Sequence, residues 1–193
     1  MKAKSIIGKS PEEIRSELKH NMDDGFKPTL AIIMLSNVEN AERLRSILGT
    51  QGIAIFGITA PQKFTEQGIT EGDIVVMLMD IKPDNFKIVL NDYQGSSAYE
   101  AGYKAGITGR NSFTNPCFII SPVDFNVSGD DLIRGLTDAA GHDITVAGGV
   151  SGNPIDLTGI VFTNDGSSTG GLLALIIDMD KVSVSGLAVS GWK

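Results

Sequence analysis

The chain has 193 residues, 41% of them hydrophobic and 20% charged, a length and balance that suit one globular domain with a substantial core. Its net charge is −7, and the 16 basic residues form no dense patch, so nucleic acid and anionic membrane are poor partners. A lone cysteine excludes an intrachain disulfide, and no apolar run nears the roughly 18 residues that cross a bilayer. No secretory signal is visible in Met1–Lys9, so the chain is expected in the cytoplasm. Two histidines and one cysteine far apart in sequence give no zinc-ligand spacing, and no metal site is expected.

The first clear element is a helix over Pro11–Asp24. Ser10 supplies a cap, Pro11 suits the first helical position, Glu13 completes a capping box, and Gly25 ends the helix. Ile14, Leu18 and Met22 form its apolar stripe, and His20 falls on its polar side as a solvated residue. Leu30–Leu35 is a wholly apolar run, the pattern of a strand buried on both faces. Ser36 or Asn37 can cap a following helix carrying Ala41, Leu44 and Leu48. Ile53–Ile58 then gives a second strand, parallel to the first through that crossover. Ligands in such sheets sit beyond the carboxyl ends of the strands, here Ser36-Asn37 and Thr59-Ala60-Pro61.

Past Pro61 the pattern changes. Asp73–Asp80 and Phe86–Leu90 read as an antiparallel hairpin turning at Lys82–Asn85. Ser96 or Ser97 opens a helix through Tyr99, Tyr103 and Ile107. Gly102 and Gly106 within it point to close packing on a sheet, since each costs about 1 kcal/mol relative to Ala. Phe118–Ile120 is a short buried strand. A helix begins after Ser128, with Leu132, Ile133 and Leu136 facing inward. Asp130-Asp131 suit its N-terminus electrostatically. Strands follow at Ile144–Ala147, Gly159–Thr163, Gly171–Ile177 and Val182–Val189, with hairpin-like separators at Asn164–Gly166 and Asp178–Lys181.

The segment His142–Gly152 draws the chemistry together. Gly148, Gly149 and Gly152 within five residues require positive φ or a close approach, either to another strand or to a ligand. No helix follows to receive a phosphate, and Gly166–Gly171 reads as a flexible hairpin connection. Neither a nucleophile elbow nor a phosphate-binding glycine loop occurs. Cys117 lies beside an apolar strand with no histidine near in sequence, so it reads as a buried structural thiol. His142 follows Gly141 at a helix end, where a cation is favoured, with a ligand contact as the alternative. No catalytic constellation emerges.

Several segments in order resemble the N-terminal domain of the FIST family, the F-box and intracellular signal transduction proteins. Lys27-Pro28-Thr29-Leu30-Ala31-Ile32-Ile33 is similar to the family's first strand, and Ile53–Ala60 resembles its glycine–serine/threonine turn. Asp130–Leu136 is like the helix before its glycine-rich strand. Val146–Asn153 resembles its Gly-Gly-x-x-Gly-Asp, and Ser190-Gly191-Trp192 its terminal Gly-Trp. The resemblance covers about residues 25 to 193. It implies a sensory module of signal transduction that binds small molecules such as amino acids. It also implies haem-based gas sensing as a second reading, with His142 or His20 as axial ligand.

These readings lead to an α/β fold with mixed parallel and antiparallel sheets and helices on the faces, arranged as an α-β-β-α sandwich. Residues 1–193 are expected to form a single FIST N-terminal-like domain without the companion C-terminal domain. The expected function is non-enzymatic sensing of an amino acid or similar metabolite. Ser36, Thr59, Gly148, Gly149 and Ser151 would line the ligand site, without a cofactor unless haem is bound. An interaction scaffold that docks a signalling protein and binds nothing small is the alternative. A hydrolase on the same sandwich is disfavoured, because the chain begins Met1-Lys2 and offers no N-terminal nucleophile.

Overall fold

Period-two alternation of apolar side chains sorts this chain into layers. The structure is a computed structural model describing residues 1–65, 68–71, 74–92, 97–123, 127–153 and 158–186. Its first half comprises β1 (Ala3–Gly8), α1 (Pro11–Met22), β2 (Leu30–Leu35), α2 (Asn40–Gly49), β3 (Ala54–Thr59), β4 (Gln62–Thr65), β5 (Gly68–Glu71) and β6 (Ile74–Met79). Next come β7 (Phe86–Asp92), α3 (Ala98–Ser112), β8 (Pro116–Pro122), α4 (Gly129–Ala140) and β9 (Thr145–Gly148). The last elements are β10 (Val161–Phe162), β11 (Ser167–Ser168) and β12 (Gly171–Asp178). None of the described helices is long and apolar enough to cross a membrane.

Two mixed sheets result. One has the order β1-β6-β2-β3-β10-β11, the other β7-β12-β8-β9, and β4-β5 forms a separate hairpin. The β2–β3 and β8–β9 pairs are parallel and the remaining pairs antiparallel. Along β2, Ala31, Ile33 and Leu35 point into a core with Ile14, Leu18, Leu44 and Leu48 of α1 and α2. Leu30 and Ile32 point the other way, toward Leu173, Leu175 and Ile177 of β12. The alternate residues of β12, Leu172, Ala174 and Ile176, meet Ala101 and Ala105 of α3 and Leu132 and Leu136 of α4. Helices therefore cover both outer faces and the sheets pack on each other, an α-β-β-α sandwich.

The helix starts follow the sequence signals except at α2 and in one detail of α1, where Glu13 closes no capping box on Ser10 because its Oε2 accepts from Lys9 N at 2.9 Å. Ser10 Oγ accepts from Glu13 N at 3.2 Å, Ser97 and Glu100 form a full capping box, and Ser128 Oγ accepts from Asp131 N at 3.2 Å. Ser96 lies outside the described residues. Neither Ser36 nor Asn37 caps α2: its N-cap is Glu39, with no side-chain cap bond. Asn37 instead closes a turn, Oδ1 accepting from Glu39 N at 2.9 Å.

Three other expectations are corrected. The strands β6 and β7 form no hairpin, because β6 already has β1 and β2 on its two edges. A short 3-10 turn at Pro83–Asn85 separates β6 from β7, and β7 pairs with β12 in the other sheet. Residues 182–186 are not a strand, although Val182 and Val184 still pack against the inter-sheet core. Residues 187–193 lie outside the description, with the Ser190-Gly191-Trp192 motif. Finally, Gly102 and Gly106 admit a helix and not a sheet. A Cβ at Gly102 would stand 2.1 Å from Leu132 O, one at Gly106 would stand 2.6 Å from Leu136 O, and one at Gly135 of α4 would stand 2.0 Å from Tyr99 O. The α3 and α4 backbones thus touch through bare glycine.

Gly102→Ala should therefore separate the helices and cost about 3 kcal/mol, lowering the melting temperature by roughly 6–12 °C. Gly129→Ala, with nothing within 4 Å of the new Cβ, should leave it essentially unchanged. Calorimetry of the two variants checks the contrast.

Candidate functional site

The glycine-rich loop after β9 begins with close contact to a neighbouring strand. Gly148 has φ +147°, and a Cβ there would sit 1.9 Å from Ile120 O of β8, so its backbone position admits only glycine. Gly149 N donates to Ile120 O at 3.2 Å, and Gly149 O accepts from Ser121 Oγ at 2.9 Å. Ser151 N donates to Pro122 O at 2.7 Å. These bonds fix the loop to the end of β8 in the four-stranded sheet.

The loop then reaches the other sheet. Ser151 is fully buried, and its Oγ accepts from Thr59 N at 2.9 Å. The hydroxyl proton faces Ile160 O at 3.0 Å and Thr59 O at 3.1 Å. Gly152 N donates to Thr59 O at 2.8 Å. Thr59, itself buried at the end of β3, accepts from Ile160 N through Oγ1 at 2.9 Å. Ser151 and Thr59 therefore form a closed polar clasp that joins β8 to β3 across the sandwich.

Ser36 stands exposed at the end of β2. Its Oγ donates to Ala60 O at 3.3 Å and accepts from Lys63 Nζ at 2.5 Å. The Lys63 ammonium also donates to Ala60 O at 3.1 Å and Pro61 O at 3.4 Å. Only 1% of Lys63 is exposed, whereas the next residue on β4, Phe64, is 73% exposed. No sequence signal in Gln62–Thr65 marks Lys63 as the buried residue of the strand.

Gly148 and Gly149 also face a cleft of about 440 Å³ between α4 and β9, walled mainly by Ile120, Leu132, Ile133 and Val146. Ser36, Thr59 and Ser151 are not among its walls. The five residues singled out from sequence thus occupy three places: the cleft, the clasp and the end of β2. Unlike Gly148, Gly149 has nothing within 4 Å of a built Cβ.

The remaining reactive candidates sit elsewhere. Cys117 is buried in β8, and burial pushes its thiol up, away from the reactive thiolate. His20 lies exposed on α1, and His142 lies exposed just after α4. Asp130 and Asp131 occupy the first turn of α4. Among the described residues no group of three or more His, Cys, Asp or Glu could hold a metal ion.

Compared with known families, residues 29–193 match the FIST N domain. No match was found among curated proteins. The matched range opens one residue before β2 and contains the clasp, the cleft and Lys63. β1 and α1 precede it, yet Ile6, Ile14 and Leu18 belong to the same core as β2.

Two measurements follow from this geometry. Ser151→Ala removes the hydroxyl while Thr59 O keeps Gly152 N and Ile160 O keeps Thr59 N, so it should cost about 1 kcal/mol, read as a lower urea midpoint with unchanged slope. An unchanged midpoint would show that the hydroxyl does not hold the sheets. Cys117 should resist Ellman's reagent at pH 8 in the native protein and react fully in denaturant.

Proposed function

The chain belongs to the FIST family, and from that premise we propose that it is a sensory domain of cytoplasmic signal transduction whose small ligand, an amino acid or similar metabolite, enters the cleft between α4 and β9. The observation that carries this reading is the cleft itself. Its volume lies within the usual range for small-ligand sites, and its walls are mostly apolar. β9 pairs with β8 along one edge only among the described residues. Its outward N–H and C=O groups therefore offer partners for a ligand's ammonium and carboxylate, while Leu132 and Ile133 meet its apolar part.

Position in the fold supports a sensory role. Gly149, on the cleft wall, is two residues from Ser151, which ties the loop to β3. A ligand that binds one setting of this loop better than another shifts the balance between settings by that difference in affinity. The proposed module is not an enzyme and carries no prosthetic group. Haem-based sensing has less support: His20 and His142 are both exposed, and neither walls the cleft. A Soret band after reconstitution would revive it. The scaffold reading draws on a different feature, the facing pair Phe64 and Ile69 on the β4–β5 hairpin, 73% and 76% exposed. Such a pair is the kind of surface a signalling partner covers.

A thermal-shift panel of the amino acids tests the cleft reading. A ligand at about one hundred times its Kd should raise the melting temperature by about 5–10 °C. Gly149→Trp, at a cleft-wall position where an added Cβ meets nothing within 4 Å, should fold normally and lose that response. Absence of stabilisation by every member of the panel would count against the reading.

A further inference from the structure

The two helices on the outer face of the six-stranded sheet leave a groove between them. On α1, Arg15, Leu18, Lys19 and Met22 recur at spacings of three and four and so share one stripe. On α2, Ser46, Ile47, Thr50 and Gln51 form the facing stripe. The two border about 390 Å³, a volume within the range of small-ligand sites. Leu18 and Ile47 belong to the core beneath and Met22 packs against it, so the floor is apolar. The rim is not. Arg15 and Lys19 stand exposed on it, and among the described residues neither takes part in a hydrogen bond or ion pair. Glu12, one turn before Arg15, is instead bonded by Arg43 at 3.1 Å. The α1 wall also lies wholly before residues 29–193, the part that matches the FIST N domain.

We propose that this groove binds an aliphatic carboxylate, its charged end on Arg15 and Lys19 and its tail along Leu18, Ile47 and Met22. The site is separate from the α4–β9 cleft and independent of the reading built on it. Charge sets the sign of the ligand. The chain carries −7 overall, yet this rim has two cations against one carboxylate, Asp23. Asp23 lies eight residues past Arg15, about 12 Å along the helix axis, so the Arg15 end is the one that attracts an anion. The helix dipole accounts for Lys19, in the last turn of α1, but not for Arg15 in its middle. Nor does the end of α2 present bare carbonyls to repel an anion. Those of Ser46 and Ile47 accept from Thr50 N and Thr50 Oγ1, and those of Leu48 and Gly49 from Gln51 N and Gly52 N. Arg holds a carboxylate through two parallel N–H bonds, and the apolar floor gains from each methylene that covers it. A bare ion would leave that floor open to water. The span from Arg15 to Met22, about 10 Å, suits a tail of medium length.

Methyl and backbone NMR of the whole chain tests the assignment with octanoate, acetate and octylammonium as probes. Octanoate, below its micelle concentration, should shift the Leu18, Met22 and Ile47 methyl signals saturably, with a Kd of about 0.1–1 mM for so small a ligand. Acetate should bind about tenfold more weakly or worse for want of a tail, and octylammonium likewise for want of a negative charge. Arg15→Gln, at an exposed position, should keep the fold and weaken octanoate about tenfold; adding Lys19→Gln should weaken it further. Lys104→Gln, exposed on α3 away from the groove, should change nothing. No shift at the three methyl-bearing residues, unchanged affinity in the Arg15 and Lys19 double variant, or equal binding of octylammonium would overturn the proposal. So would shifts confined to residues 146–150, which would place the acid in the α4–β9 cleft. Binding to anionic phospholipid vesicles without any response to octanoate would make the groove a membrane contact and overturn it too. The amino acid panel reads the other cleft, so either result leaves the other standing.

Discussion

The structure depends on a polar joint between two apolar layers. Leu30, Phe56 and Val161 on one sheet face Leu173, Leu175 and Ile177 on the other, and this contact is favourable whatever the in-plane position of the sheets, since apolar burial has no direction. Hydrogen bonds have direction. Ser151 binds Pro122 through its backbone and Thr59 and Ile160 through its hydroxyl, and with Gly152 N on Thr59 O it fixes the end of β8 against the end of β3. The burial of Ser151 is tolerable because its hydroxyl both accepts and donates there.

The glycine cluster can be understood from this joint. Gly148 lets β9 end against Ile120 O with no side chain between them. Gly152, at φ +125°, turns the chain onto Thr59. At Gly159 a Cβ would come within 2.5 Å of the Gly152 Cα, so the returning chain also needs a bare backbone just before β10. Close strand approach thus accounts for Gly148 and Gly152. Gly149 is different, since space remains around it and the cleft begins there. The loop therefore divides its positions between holding the sheets and facing the α4–β9 cleft.

What was legible in the sequence were features set by local chemistry or simple periodicity. Ser10, Ser97 and Ser128 cap their helices by bonds to residues three positions away, and a buried strand such as Leu30–Leu35 shows itself as an apolar run. The layered α/β arrangement follows from those elements. Features set by distant partners were not legible. The turn at Pro83–Asn85 looks the same whether β7 returns to β6 or crosses to the other sheet; β6 had no edge left, and that is known only once β1 is placed. β1 carries Lys4 and Ser5 between its apolar positions, a weak signal for a strand. The α3 glycines announce a close neighbour without naming it. Of the residues singled out, the glycine loop, Ser36 and Thr59 carry a local signal, but the division of Ser151 to the joint and Gly149 to the cleft is set by partners distant in sequence.

Lys63 shows where stability alone stops explaining the chain. Removing an ammonium from water costs several kcal/mol, and Ser36, Ala60 and Pro61 supply oxygens that offset it. An apolar residue of similar volume would fill the same space at no such cost and is often neutral or stabilising in exchange. Phe64 on the opposite face of β4 was the available candidate, and the hairpin turns it outward instead. A fold selected only for burial would invert the two. The orientation found buries Lys63 against Ser36, Ala60 and Pro61 and leaves the Phe64 ring on the surface, where it adds nothing to the core.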